Sequence, residues 1–197
     1  MVLDPFCGAG TVLVEAKRMG YYAVGVDANP FMCLASKVKT NNYTLDQTSD
    51  IIELLRLRIT DDYLAKPPPI PNIHQYYSPS VLRKLLALKG FLDKVDVDPT
   101  LRGLLTLCFV KTAVAASNIK KSPAPRYYRR RRSYPVVRTF KRLLRVVVED
   151  LIRHQSKYQG SADVYLGDAR QLSFLKGCFD VVISSPPYCN NVDYVRH

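Results

Sequence analysis

Apolar and polar positions near the two ends of the chain follow the periods of β-strands and helices in turn. Four short apolar runs have the length of strands: residues 1–4, 21–27, 163–166 and 179–184. The first two runs each end in an acid, and each precedes a segment of helical spacing, residues 12–18 and residues 30–41. Strands that alternate with helices form an open α/β sheet, so the sequence predicts an α/β fold with about four strands. The run at 179–184 is apolar on both faces, which is typical of a buried central strand.

The middle of the chain changes to helical spacing. Apolar residues recur at helical period in four segments: residues 51–64, 78–92, 101–117 and 140–154. A proline-rich stretch at 66–72 separates the first of these segments from the others. We therefore divide the chain into three parts. Residues 1–45 are the first half of the α/β domain, residues 46–160 are a mostly helical, basic insertion, and residues 161–197 are the second half of the α/β domain.

Composition narrows the class of protein. With 197 residues and 47% hydrophobic composition, the chain is long enough for one domain with a core and an insertion. The five cysteines show no CxxC spacing and the three histidines do not cluster, so we predict no metal site. Scattered cysteines without a leading signal sequence favour a reducing compartment, the cytoplasm. The apolar stretches are shorter than the about 18–20 residues of a membrane span, so we predict a soluble protein.

A glycine-containing octapeptide, DPFCGAGT at residues 4–11, lies between the first predicted strand and its helix. Gly8 and Gly10 allow a tight turn and a close approach of the backbone to a ligand, at the end of a strand where open α/β sheets bind cofactors. The loop lacks the GK[ST] ending of a phosphate-binding loop, and its spacing is not GxGxxG. An ordinary tight turn between a strand and a helix is the alternative.

Acids follow the second and third predicted strands. Asp27, at the end of the second strand, can accept hydrogen bonds from both hydroxyls of a ribose, as an acid at this place does in dinucleotide-binding folds. Its alternative role is to cap the helix that begins at Asn29-Pro30. Asp168 follows the third strand and can accept from an adenine amino group, or it can simply form a turn beside Gly167.

The pentapeptide Ser184-Ser185-Pro186-Pro187-Tyr188 follows the fourth predicted strand. Two consecutive prolines hold the backbone extended and have no N–H donors, so the nearby carbonyls and the Ser185 hydroxyl are free to accept hydrogen bonds. Such a site suits a substrate that has an amino group to donate. Tyr188 has a flat face on which a base taken out of a duplex can stack. A rigid loop with a structural tyrosine is the alternative.

Taken together and in this order, DPFCGAGT, the acids of GVD and GDAR, and SPPY resemble motifs of the amino-methyltransferases, the enzymes that methylate cytosine N4 or adenine N6 in DNA. The matches span nearly the whole chain. The resemblance implies a Rossmann-like, class I methyltransferase sheet and S-adenosylmethionine as the cofactor. It places catalysis on Ser185, Pro186, Pro187 and Tyr188. It places cofactor binding on Asp4, Phe6, Gly8, Gly10, Thr11, Asp27 and Asp168.

The target base is predicted from the first residue of the tetrapeptide. Serine at this place, Ser185 here, is commoner among the cytosine-N4 members of the family, whereas aspartate is usual among the adenine-N6 members. The resemblance therefore favours cytosine N4, with adenine N6 as the alternative. The lone pair of the amino nitrogen is delocalised into the ring. We therefore expect the Ser185 hydroxyl and the Pro186 carbonyl to accept its two hydrogens and to favour a more tetrahedral nitrogen.

The chain has a formal net charge of +12, and residues 120–145 contain eleven Lys or Arg and no acid. Such an excess makes a polyanion such as nucleic acid the leading class of partner. Tyrosines lie among these arginines and can add stacking to phosphate contacts. We predict that five arginines contact DNA: Arg126, Arg129, Arg130, Arg131 and Arg132. A nuclear-import or RNA-binding segment is the alternative.

The resemblance also implies more strands than the sequence contains. The family's sheet has seven strands, about four are found here, and the glycine loop begins within the first residues of the chain. We therefore expect either a fragment or a second subunit that completes the sheet. Two rivals to the main hypothesis stay open. One is a tRNA guanine amino-methyltransferase, against which Ser185 and the long basic insertion argue. The other is a non-catalytic DNA-binding subunit of a split methyltransferase.

Overall fold

The computed structural model describes residues 1–119, 133–154, 159–172 and 179–186. The strands are β1 (Val2–Asp4), β2 (Tyr22–Asp27), β3 (Ser161–Leu166) and β4 (Val181–Val182). The helices are α1 (Thr11–Arg18), α2 (Pro30–Thr40), α3 (Leu45–Arg56), α4 (Ile73–Tyr76), α5 (Pro79–Lys94), α6 (Pro99–Ala116) and α7 (Val136–His154), with a 3₁₀ turn at Asp61–Tyr63. The chain divides into two compact units. The sheet unit is Met1–Tyr43 with Asp150–His197, and the helical unit is Thr44–Glu149.

The sheet unit contains four parallel strands in the order β3-β2-β1-β4. Leu3 of β1 lies beside Val24 of β2 on one side and beside Val182 of β4 on the other. The chain thus proceeds from β1 to β3 in one direction and places β4 on the opposite side of β1. Open α/β sheets bind ligands at such a switch point, outside the carboxyl ends of the strands. The predicted α/β fold with about four strands is confirmed for the described part of the chain.

Close packing between the sheet and the first two helices forms the core of this unit. Leu13 of α1 and Cys33 of α2 are buried in one cluster with residues of β1, β2 and β3. Gly25 on β2 makes the approach of α1 possible, because a Cβ there would lie 2.7 Å from Leu13 Cδ2. The packing of Leu13 against β2 therefore holds the first turn of α1, where the loop after β1 ends.

One charged side chain lies inside this packing. Lys17 of α1 is 1% exposed, and burial lowers its pKa. Its Nζ donates to the carbonyl of Thr40 and, at 2.6 Å, to Asn42 Oδ1. The last carbonyls of a helix have no partner within the helix, so this lysine satisfies the end of α2 and joins it to α1.

β4 differs from its expected form. The sequence predicts a buried strand over 179–184, but only Val181 and Val182 pair as strand residues, and their side chains are 48% and 60% exposed. Among the described residues, β4 pairs with β1 alone. The apolar run still follows β1, because the Ile183 N–H donates to the Leu3 carbonyl at 2.9 Å. Residues 184–186 therefore lie directly beyond the carboxyl end of β1.

The helical unit has its core between α5 and α6, which pack against each other. Leu88 of α5 and Leu101, Leu104 and Leu105 of α6 are almost completely buried. Of the described helices, α6 alone is long and apolar enough by composition to cross a membrane. Its buried leucines account for that composition, since a helix that is apolar on most sides is also typical of a protein core.

Helix boundaries in this unit differ from the predicted ones. The segment expected at 51–64 is a helix at Leu45–Arg56, because Thr44 and Gln47 form a reciprocal capping box that starts it six residues earlier. α6 starts two residues before its expected position, at Pro99, since Asp98 caps it. α7 starts four residues early, at Val136, directly after Pro135. Polar capping residues and prolines, which apolar spacing alone ignores, set these boundaries.

Candidate cofactor and substrate site

Two glycines with left-handed backbone conformation shape the loop between β1 and α1. The φ angles are +49° at Gly8 and +77° at Gly10. The Gly10 N–H donates to the Cys7 carbonyl at 2.8 Å, and the Gly10 carbonyl accepts from Val14 N–H at 3.0 Å, so Gly10 closes the turn and begins α1. A Cβ on Gly10 would lie 2.2 Å from Ser36 Oγ of α2. Backbone conformation and packing therefore both require glycine at position 10.

The Asp27 carboxylate holds this loop from the neighbouring strand. Its Oδ2 accepts from the Gly8 N–H at 2.8 Å, and its Oδ1 accepts from the Asn29 N–H at 2.8 Å. The N-cap of α2 is Asn29, whose Oδ1 accepts from the Phe31 N–H at 2.9 Å. A carboxylate has about four acceptor positions, and these bonds use two of them. Asp27 therefore retains acceptor capacity at the carboxyl edge of the sheet.

The glycine loop follows Asp4, and the serine-proline loop begins at Ser184, the first residue of the pentapeptide at 184–188. The two loops approach each other at Asp4 and Ser184. Asp4 is 3% exposed; its Oδ1 accepts from the Phe6 N–H at 3.1 Å, and the Ser184 hydroxyl lies near enough to its carboxylate to lower its pKa. Burial raises the pKa of Asp4 and outweighs the Phe6 hydrogen bond and the nearby Ser184 hydroxyl, which lower it; the Asp27 carboxylate raises it further. Two motifs separated by most of the sequence thus lie side by side at the switch point between β1 and β4.

The predicted residues occupy different positions around this contact. Ser185 and Pro186, next to Ser184, are exposed. Phe6 is 39% exposed beside the glycine loop, and Thr11 is the exposed first residue of α1. Several predicted residues lie outside the described part of the chain: Pro187, Tyr188, Arg126, Arg129, Arg130, Arg131 and Arg132.

Asp168 lies after β3 at the same edge and is paired with Arg170. Its Oδ1 accepts from the Arg170 backbone N–H at 2.9 Å, and the guanidinium donates to both carboxylate oxygens, the shortest distance being 2.6 Å from Nη2 to Oδ2. The side-chain hydrogen bonds from Arg170 lower the pKa of Asp168 to about 2. Asp168 forms the turn that its neighbour Gly167 indicated, and a ligand that used its carboxylate would compete with Arg170.

The cysteines beside the loop are buried thiols. Burial, with a contribution from the Asp27 charge, raises the pKa of Cys7 to about 12, and burial likewise raises the pKa of Cys33. Both therefore stay protonated at neutral pH, whereas a nucleophilic cysteine has to be a thiolate. Among the described residues, no group of three histidines, cysteines or acids could hold a metal ion.

The chain is similar to two Type II methyltransferases. M.MjaII from Methanocaldococcus jannaschii is 38% identical over 52 residues, which is 26% of this chain and 10% of that protein. M.BsoBI from Geobacillus stearothermophilus is 26% identical over an alignment of 229 positions, which covers 99% of this chain and 45% of that protein. The chain thus spans less than half the length of these relatives. No family model matches the chain, and no solved structure is significantly similar to it.

Sequence reasoning missed two side chains that support the glycine loop, and it named a third, Ser184, without giving it a role of its own. Ser184 precedes the SPPY tetrapeptide, and the polar residue at the end of an apolar strand was a signal that it faces the site. Lys39 of α2 donates from Nζ to the Ala9 carbonyl at 2.8 Å, which ties the glycine loop to that helix. Ser36 lies one turn earlier on α2 and limits the space at Gly10. Only the packing of α2 against α1 reveals these last two roles.

Proposed function

We propose that this chain is the cofactor-binding and catalytic part of a DNA methyltransferase. In this proposal it transfers a methyl group from S-adenosylmethionine to an exocyclic amino group, that of cytosine N4 in particular. The close approach of the Ser184 hydroxyl to the Asp4 carboxylate at the switch point is the observation that supports the proposal most strongly. It brings together the loop that the resemblance assigns to the cofactor and the loop that it assigns to the base. The similarity to Type II methyltransferases supports the same class of reaction.

The residues at the carboxyl edge fit S-adenosylmethionine. Left-handed Gly8 and Gly10 let the backbone approach a ligand closely, and Asp27 retains acceptor positions for two ribose hydroxyls. Phe6 presents apolar surface beside the loop. Asp168 would exchange its bond to Arg170 for one to the adenine amino group. When bound, the cofactor supplies an electrophilic methyl group.

The exposed serine-proline loop supplies hydrogen-bond acceptors for the amino group of the base. The Ser185 hydroxyl and the Pro186 carbonyl accept its two hydrogens, which concentrates the lone pair on the nitrogen. Methyl transfer would form an N–C bond, break the S–C bond of the sulfonium to leave a neutral thioether, and release one proton from the nitrogen to water. Ser184, which lies beside the Asp4 carboxylate, marks the point from which these acceptors project. In this proposal Tyr188, preceded by Pro187, stacks on the extruded base.

DNA is the proposed substrate and partner. Net charge supports a polyanion, and the arginines at 126 and 129–132 are proposed to contact its phosphates. A second subunit that completes the sheet, and a cytoplasmic location, stay predictions.

Mass analysis of nucleosides tests the reaction and the base together. The chain is incubated with DNA and S-adenosylmethionine, and the DNA is digested and examined for N4-methylcytosine and N6-methyladenine. Replacing Ser185 with alanine should lower the rate of methylation by about 10²-fold, the typical loss for one acceptor or donor at a reacting group. Tyr188→Ala should abolish methylation and leave cofactor binding largely intact. Ser161→Ala is the matched control, because this exposed serine lies at the amino end of β3, the opposite edge of the sheet.

Each outcome has a defined meaning. Formation of N4-methylcytosine that falls by about 10²-fold in the Ser185 variant, is lost in the Tyr188 variant and persists in the Ser161 variant supports the full proposal. Detection of N6-methyladenine without N4-methylcytosine would overturn the assignment of the target base but would leave the assignment of the enzyme class unchanged. A cofactor that binds while tRNA alone becomes methylated would overturn DNA as the substrate.

A further inference from the structure

Nearly all of the excess charge of the molecule belongs to the helical unit. Residues 44–149 contain 20 Lys or Arg and 9 Asp or Glu, so they carry +11 of the net charge of +12. Eleven of these cations lie in residues 120–145, where there is no acid. The other nine cations of the unit are balanced by its nine acids. The second half of this basic segment enters α7, whose position the structure describes.

α7 separates its apolar and basic residues onto different faces. Val136, Phe140, Leu144 and Val148 recur at every fourth position and are all buried. Three arginines occupy the exposed face at spacings of four and three residues: Arg138, Arg142 and Arg145. We call these three residues the arginine row. Residues at such spacings lie above one another on a helix, so their guanidinium groups share one side of α7.

The cations of α7 have two different roles. Lys141 is partly buried and donates from Nζ to the carbonyls of Leu55 and Leu57 at 2.7 and 2.8 Å, where α3 ends. Its charge is therefore used inside the fold. No ion pair joins a member of the arginine row to an acid within the described residues. In the part of α7 that belongs to the helical unit, residues 136–149, the fold thus uses one cation and leaves three exposed.

We propose that the arginine row binds the phosphates of duplex DNA. This inference rests on the proposed function and names a surface for its substrate. With a rise of about 1.5 Å per residue, Arg138 and Arg145 are about 10 Å apart along the helix axis, a length over which one DNA strand presents about three phosphates. All three residues are arginine, whose planar fork binds two phosphate oxygens at once.

The packing of α7 favours DNA over a membrane surface. A helix that lies on an anionic membrane inserts its apolar face among the acyl chains and keeps its basic face towards the headgroups. The apolar face of α7 is instead buried in its own unit, through Phe140 and Leu144 among others. The basic face of α7 is left exposed without the apolar face, and such a surface suits the phosphates of a polyanion in water.

The salt dependence of DNA affinity tests the arginine row. The full chain and the variant R138Q/R142Q/R145Q are titrated against a short fluorescent duplex at several salt concentrations between about 50 and 200 mM. Three lost phosphate contacts should reduce the slope of log K against log salt by about 3 and weaken binding at least tenfold at the lower concentration. The variant R138K/R142K/R145K should keep most of the slope.

A matched control removes the same charge elsewhere in the helical unit. R58Q/K84Q/K111Q also lowers the net charge by three, but its exposed residues lie after α3, on α5 and on α6 and form no row. It should change the slope much less. Equal loss of slope in both glutamine variants would overturn the arginine row, because general charge would then account for the effect. Stronger binding of the wild type to vesicles of anionic lipid than to DNA would overturn it in favour of a membrane.

The two proposals fail in different ways. A wild-type chain that binds cofactor but binds no duplex at low salt would overturn DNA as the substrate, and the arginine row with it. A wild-type chain that binds DNA with the same slope as R138Q/R142Q/R145Q would overturn the arginine row alone. Equal thermal midpoints of the variants and the wild type verify that each variant is folded.

Discussion

Asp4 is a buried carboxyl group at the contact between the two loops, and its ionisation links the site to stability. The folded chain raises its pKa above its ordinary value of 3.8, chiefly through burial. The folded state therefore holds this proton more tightly than the unfolded state does. It follows that the ionised form opposes folding at neutral pH, and that this cost disappears as the pH falls below 3.8.

Asp4→Asn should therefore stabilise the chain at pH 7, by up to about 2 kcal/mol, while it weakens cofactor binding, as is common for substitutions at functional sites. The amide oxygen still accepts from the Phe6 N–H, but the buried charge is gone. Urea unfolding measures the free energy of unfolding at pH 7 and near pH 4, and the gain should shrink at the lower pH.

Asp168→Asn is the control of opposite sign. Arg170 lowers the pKa of Asp168 to about 2, so its ionised form favours folding, and this contribution is lost only as the pH falls from 3.8 towards 2. Asp168→Asn should therefore lower stability slightly at pH 7. If Asp4→Asn destabilises the chain at pH 7 and does so equally near pH 4, burial of its charge is not the dominant effect.

At the scale of single residues, sequence reasoning predicted the types of residue at the candidate site better than it predicted the contacts between them. Gly8, Gly10 and Asp27 were predicted from their places after strands, and the structure brings them together, with Asp27 accepting from Gly8 N–H. It could not predict that Asp168 pairs with Arg170, or that Lys39 supports the glycine loop. Those contacts depend on side-chain direction and on helix packing, which one sequence does not specify.

At the scale of elements, the apolar period predicted the order of strands and helices but not their ends. α1 and α2 agree with their predicted segments within a residue or two. α3 does not, because the capping box at Thr44 moves its start to Leu45. β4 does not either, since its apolar residues are exposed in the described structure although the pattern favours a buried strand. The apolar pattern of the sequence identifies a strand, but the extent to which that strand is buried depends on the strands that pair with it.

Gly90 illustrates how contact between elements reverses a local preference. It lies inside α5, where alanine is about 1 kcal/mol more favourable than glycine in an isolated helix. A Cβ at this position would lie 1.7 Å from the Tyr63 carbonyl oxygen. The segment around Tyr63 is attached to α5, since the Ala65 N–H donates to the Leu86 carbonyl at 3.1 Å and the Tyr63 and Phe91 rings pack edge to face.

Gly90→Ala should therefore destabilise the chain by about 2–4 kcal/mol, because displacement of the Tyr63 segment costs more than the helix gains. Lys84→Ala on the same helix, at an exposed position, should change stability by less than about 0.5 kcal/mol. Urea unfolding measures both. An alanine variant at position 90 as stable as the wild type would mean that the segment moves away from α5 at little cost.

At the scale of the whole molecule, candidate chemistry and excess charge belong to different units. The glycine loop, Asp27 and the serine-proline loop lie in the sheet unit, whose residues carry a net charge of only +1. The arginine row lies in the helical unit, which carries +11. Asp27 and the row share no hydrogen-bond partner among the described residues. Under the proposed function, this division assigns cofactor binding to one unit and most of the DNA affinity to the other.

The division predicts that substitutions in the two units act independently. Asp27→Ala should weaken S-adenosylmethionine binding at least tenfold, the loss of about 1.5–3 kcal/mol expected for hydrogen bonds to a charged group, and leave the salt slope of DNA binding unchanged. R138Q/R142Q/R145Q should do the reverse. Combining them should give the sum of both free-energy changes within about 0.5 kcal/mol, as for sites without shared partners. Calorimetry with the cofactor and fluorescence titration with DNA measure the two affinities. An unchanged cofactor affinity in Asp27→Ala would refute its ribose role, and a combined effect well beyond the sum would mean that the cofactor site and the arginine row are energetically coupled.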